Sequence, residues 1–252
     1  MVVGIDKFRE YFAGHEDQYA IIGGAACDLL FDRAGLKFRA TKDIDMVLCV
    51  EVVDVAFGET FKAFIDAGGY EARERSDGKK EFYRFHRPKD ENYPFMIELF
   101  SRKPEALNLS GDAGLTPIPV EEDVVSLSAI LLEEGYYEAL QSAKRDMDGV
   151  TIIDETLLIP FKARAFLDLS KRKEQGEKID RKNIKKHRSD VFRLAQLLAG
   201  DADIETPEPI QEDMRRFLEL TEADETLNPK DFGVPLTRDE AVALLRSAYR
   251  LA

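Results

Sequence analysis

Tryptophan is absent from the 252 residues, histidine occurs three times and cysteine twice. So few cysteines exclude a disulfide framework; Cys27 and Cys49 stand in apolar company, the usual setting of reduced core residues. His15, His86 and His187 are not spaced with them as zinc ligands would be, which excludes a zinc cluster. A His-Asp pairing of the kind that metal-dependent phosphohydrolases carry is also missing. No apolar run approaches the ~18 residues needed to span a bilayer. Residues 1–7 lack the basic stretch and greasy run of a secretory signal. These absences predict a cytoplasmic protein with no membrane partner. Internal repeats and low-complexity segments are absent too.

What is present is a core-forming chain. Apolar residues make up 44% and charged residues 34%, which excludes a disordered polymer and gives a prior of one to two domains. The formal charge is −13, so the whole molecule does not suit bulk polyanions. Residues 161–188 reverse the sign. They hold eleven Lys or Arg against four acids, leaving −20 for the remainder. Such a stretch is either a solvated helix–loop–helix surface or a site for phosphates or a short piece of nucleic acid.

The pattern divides near residue 155. Before it, the spacing predicts helices over 5–13, 25–34 and 57–67, and strands over 19–22, 44–50, 70–75, 81–87, 94–100 and 126–132. After it, helical spacing starts at Pro160 and recurs over 183–198, 209–220 and 237–251, the last with Thr237 as cap. The fold class is therefore α+β: a mixed β-sheet with flanking helices, then a helical C-terminal half. The expected domains are 1–155 and 156–252.

Chemistry concentrates at two places in the first half. The strand over 19–22 runs into Gly23-Gly24 and then a helix. Without a Cβ at either position, a phosphate chain can approach the backbone N–H groups closely. Asp43 and Asp45 open the next strand, and the strand period of two puts both carboxylates on one face with Ile44 toward the core. Paired carboxylates repel, and Mg²⁺, which favours a few carboxylates with phosphates and water, removes that conflict. Glu98 is the only charge in the apolar run 95–100, where a charge is costly unless paired or on a metal; it either completes the metal site, pairs with an arginine or caps an edge.

Ile22-Gly23-Gly24-Ala25 followed by Thr41-Lys42-Asp43-Ile44-Asp45 resembles the nucleotidyltransferase superfamily of DNA polymerase β. Within it the chain resembles the AbiEii-type nucleotidyltransferases, toxins of some bacterial toxin–antitoxin and phage-defence pairs. Arg39 to Asp45 supports this, as do residues 159–165 and 185–190, which are similar to that family's lysine and Lys-x-x-x-Asp helix motifs. The resemblance spans roughly residues 19–198. Two departures stand out: Gly24 replaces the common serine, and Glu98 stands where many members have aspartate.

The resemblance implies a nucleotidyltransferase-fold catalytic domain and transfer of a nucleoside monophosphate from a nucleoside triphosphate to a hydroxyl. Asp43, Asp45 and Glu98 would be catalytic and hold two Mg²⁺ ions. Gly23, Gly24, Thr41, Lys42, Lys162, Lys186 and Asp190 would bind nucleotide. The acceptor could be RNA or protein, and a cognate antitoxin is an implied partner. Three bland alternatives accompany these residues: Lys186 and Asp190 as a surface salt bridge, Thr41 and Lys42 as braces of the strand entry, and Gly23-Gly24 as a tight turn. Two competing functions remain: nucleotidylation of a small molecule of aminoglycoside type, and a nucleotide-binding regulatory module without turnover.

Overall fold

The computed structural model describes residues 2–49, 51–72, 82–100 and 133–251. The strand expected over 126–132, and the ends of those expected over 70–75 and 81–87, lie outside them. The chain divides into two compact units, one of residues 1–120 with 144–154, the other of residues 121–143 with 155–252. Among the described residues, 133–143 belong to the second unit.

Among its described residues, the first unit is one seven-stranded sheet with three α-helices: α1 (Ile5–Phe12), β1 (Tyr19–Ile22), α2 (Gly23–Arg33), β2 (Asp43–Leu48), α3 (Val55–Gly68), β3 (Glu71–Ala72), β4 (Phe82–His86), β5 (Met96–Phe100), β6 (Lys144–Asp146) and β7 (Thr151–Ile153). The strand order is β3-β4-β5-β2-β1-β7-β6. β1 runs antiparallel to β2, while β2 with β5 and β1 with β7 are parallel. Parallel pairs need long crossovers, and these central strands are accordingly apolar on most positions.

The local reasons for the elements are visible in the residues. Alternation at the start of β2 leaves Asp43 and Asp45 half-buried and Ile44 buried, as the strand period requires. The Asp54 side chain caps α3 by accepting from the Phe57 N–H, and Gly69, at φ 63°, ends it in the left-handed region that glycine enters freely. Phe8, Phe12, Tyr19, Phe57, Phe61 and Phe64 form a contiguous aromatic core beneath the sheet, with ring centroids 4.3–6.4 Å apart. Each such ring buries enough area to contribute roughly 1.5–3 kcal/mol.

The second unit is helical in its described residues: α4 (Glu134–Ser142), α5 (Glu155–Glu174), α6 (Arg181–Ala195), α7 (Glu208–Glu222), a 3₁₀ turn (Pro229–Phe232) and α8 (Arg238–Ala248). Thr237 and Glu240 form a reciprocal capping box at the start of α8. Pro160 does not start a helix, as its position suggested; it lies inside α5. Proline has no N–H, so the carbonyl of Thr156, four residues earlier, loses its intrahelical donor. Tyr249 supplies the substitute: its hydroxyl donates to the Thr156 carbonyl at 2.7 Å. Among the described residues no helix is long and apolar enough to cross a membrane.

Candidate active site

β1 delivers the chain to Gly23, which has φ 68° and opens α2 two residues earlier than the sequence suggested. In the β1–β2 ladder Ile22 stands opposite Asp45. The Asp45 carboxylate fills the space over Gly23: a Cβ there would lie 1.9 Å from Asp45 Oδ2. The next residue repeats the arrangement. A Cβ on Gly24 would lie 2.8 Å from Thr41 Oγ1, with Arg39 Nη2 at 3.7 Å. Gly23 is thus demanded by Asp45 as well as by its backbone angle, and Gly24 by Thr41, and the bend brings Gly23, Gly24, Arg39, Thr41 and Asp45 to one place. Serine, common at the second position in the resembled family, would meet Thr41 there.

Parallel pairing of β2 with β5 sets Glu98 beside Asp45, and antiparallel pairing of β5 with β4 sets Arg84 on its other side. Glu98 is 6% exposed. The Arg84 guanidinium holds its carboxylate, with Nε and Nη2 each 2.5 Å from Oε1. Burial, followed by the negative charge of Asp45, pushes the Glu98 carboxyl up to about 8, against the pull of Arg84. Once protonated, Glu98 can share a hydrogen bond with Asp45. Sequence reasoning missed Arg84. The available signal was a single cation among the aromatic residues 82–86 and the need of Glu98 for a partner.

The structure therefore brings Asp45 and Glu98 together, with Asp43 two residues away on the same face of β2. Among the described residues no group of three or more His, Cys, Asp or Glu side chains stands ready to hold a metal ion. The donor set suits Mg²⁺ at Asp43 and Asp45, because that ion needs only one or two protein carboxylates beside phosphate and water oxygens. The unresolved repulsion between Asp45 and Glu98 is the kind that a divalent cation relieves. Glu98 is held by Arg84.

The remaining candidates are distributed. Lys42 is exposed, and its carbonyl accepts from the Phe95 N–H at 3.0 Å, so its backbone braces the entry to β2. Lys162 on α5 is 6% exposed and faces Asp190 of α6 at 3.8 Å. Asp190 is fully buried and is also met by Arg193 at 3.2 Å. Asp190 is thus a core charge of the helical unit, with Lys162 and Arg193 as partners. Lys186 is half-buried on the same helix.

No family model and no curated protein matches the sequence. Among solved structures, the chain is similar to an antigenic nucleotidyltransferase-like protein from Paracoccidioides brasiliensis, with a TM-score of 0.49 and 15% identity over 98% of this chain and 94% of that one. It is also similar to the antibiotic-resistance factor ANT(2'')-Ia, with a TM-score of 0.40 and 15% identity over 87% of this chain and 91% of that one.

Proposed function

We propose that the chain is a Mg²⁺-dependent nucleotidyltransferase that moves a nucleoside monophosphate from a nucleoside triphosphate to a hydroxyl acceptor. The observation that carries this reading is the seating of the Asp45 carboxylate against Gly23, with Thr41 against Gly24. It puts the backbone N–H groups of a helix start, which favour phosphate, next to the oxygens that favour its counter-ion. Asp43 and Asp45 would hold Mg²⁺, which when bound neutralises triphosphate charge and acidifies a hydroxyl. Gly23 and Gly24 would orient the phosphates through their N–H groups. Glu98, held in place by Arg84, would accept the proton of the attacking hydroxyl when its carboxyl is ionised. Most of the rate would come from positioning and charge compensation.

The AbiEii-like reading adds RNA or protein as acceptor and an antitoxin as partner; the net +7 of residues 161–188 supports contact with a short piece of RNA rather than a long polyanion. Incubation with each labelled nucleoside triphosphate, Mg²⁺ and total RNA tests both levels, by following pyrophosphate release and the fate of the label. Asp43→Asn and Asp45→Asn are expected to remain folded by circular dichroism and to lower transfer by roughly a thousandfold or more. Full activity in both variants would overturn the assignment. A second reading, nucleotide binding without turnover, is favoured by the Arg84–Glu98 ion pair, and bound triphosphate with no pyrophosphate release would identify it.

A further inference from the structure

The helical unit contains a second place suited to phosphate. A cavity of ≈ 300 Å³ opens between α5 and α6. Four of its lining residues are cations, Lys173, Arg181, Lys185 and Arg188, and Glu174 is the one acid. Phe166 and Ile184 give it an apolar wall. Ile184 is half-buried and lines this space.

The cations are not all equivalent. Lys173 Nζ donates to the Ile179 carbonyl at 2.5 Å, and Arg188 pairs with Asp224 at 2.7 Å with its guanidinium 5.9 Å from the Phe166 ring centroid. These two are held in place by the fold. Arg181 and Lys185 are exposed and, among the described residues, have no ion-pair partner. Residues 181, 185 and 188 share a helix face, so like charges stack along one side of α6. They also sit in its first two turns, where the first turn carries no acid and the helix dipole already disfavours cations. Asp180 caps the helix start and Asp224 answers Arg188, so the charges of Arg181 and Lys185 are the ones a bound anion would compensate.

We propose that this cavity is a binding site for a compact organic phosphate, a ligand with two or more phosphate groups on an apolar body, and that it binds without a metal ion. Arg181 and Lys185 supply the mobile charges, Lys173 and Arg188 the fixed ones, and Phe166 with Ile184 receives the apolar part. The ligand is compact because the charge reversal is local. Fields are screened within about 8 Å at physiological salt, and outside residues 161–188 the chain carries −20, which repels a long polyanion. The proposal is independent of nucleotidyl transfer: it uses none of the residues at the Gly23 bend.

Isothermal titration of the full chain with ADP in excess EDTA tests it. ADP is expected to bind the metal-free protein, and adenosine is not. Arg181→Ala/Lys185→Ala is expected to weaken ADP by about tenfold or more, since each lost charge-assisted contact is worth about that much. Lys171→Ala, an exposed cation outside the cavity lining, should leave binding unchanged. Asp45→Asn should keep metal-free ADP binding whether or not it loses transfer, so the two readings fail separately. The proposal is overturned if ADP does not bind in EDTA, if the double variant binds as tightly as the wild type, or if a short single-stranded oligonucleotide binds where ADP does not. Both substituted side chains are exposed, and circular dichroism of the variant confirms that it is folded.

Discussion

Gly23 shows how one missing methyl can define a site. Its φ of 68° disfavours any L side chain, and its missing Cβ is the space that Asp45 Oδ2 occupies. Gly23→Ala is expected to push the Asp45 carboxylate out of place and lower stability by roughly 1–3 kcal/mol, with transfer falling further than stability can explain. Thermal unfolding together with a transfer assay on the folded variant checks this. Glu98 offers a second residue-scale outcome. Its carboxyl is raised from an ordinary 4.5 to about 8, so between those values the folded protein keeps a proton that the unfolded chain has released. Stability of the metal-free protein should therefore fall as pH rises through that window and level off above it. Glu98→Gln cannot ionise and should lose this dependence. Urea unfolding in EDTA at about pH 5 and about pH 8.5 should show wild type losing on the order of a few kcal/mol relative to the variant. Equal pH slopes would mean that Glu98 stays charged in the fold.

At the scale of elements, α5 tolerates Pro160 because Tyr249 repairs the hydrogen-bond ladder from outside it. Tyr249→Phe leaves the Thr156 carbonyl without that donor and is expected to cost about 1–3 kcal/mol. In a Pro160→Ala background, where an N–H is restored, the same change should cost clearly less. Chemical denaturation of the four proteins of that cycle measures the difference, and strict additivity would show that the two residues do not act on one carbonyl. The same comparison shows why sequence reading has limits. Periodicity located most helices to within a few residues, and the alternation around Ile44 placed two acids on one face. It read Pro160 as a start signal because proline most often is one, and the override came from a hydroxyl 93 residues away. The short strands β6 and β7 were missed as well. Three residues each are too few to show a period, and Lys144 to Asp146 is wholly polar. At the candidate site, Gly23, Gly24 and Asp45 were legible because their spacing is local; Arg84 was not, because strand pairing alone decides which cation meets Glu98.

For the molecule as a whole, charge distribution separates two kinds of anion binding. A net −13 with one positive segment should give a protein that heparin does not retain at about 0.15 M salt, in spite of eleven cations in residues 161–188. Chromatography on heparin and on an anion exchanger checks this. Strong retention on heparin would show that the positive field reaches well beyond the α5–α6 cavity.

The parallel pairing of β1 with β7 bears on how the first unit is made. β1 has left the ribosome long before β7, whose residues follow more than a hundred positions later. At about 5–20 residues per second, β1 waits on the order of ten seconds with one hydrogen-bonding edge uncovered. Nascent chains stalled between residues 100 and 150 should therefore be the aggregation-prone and chaperone-bound form of this protein, and the completed chain should not be.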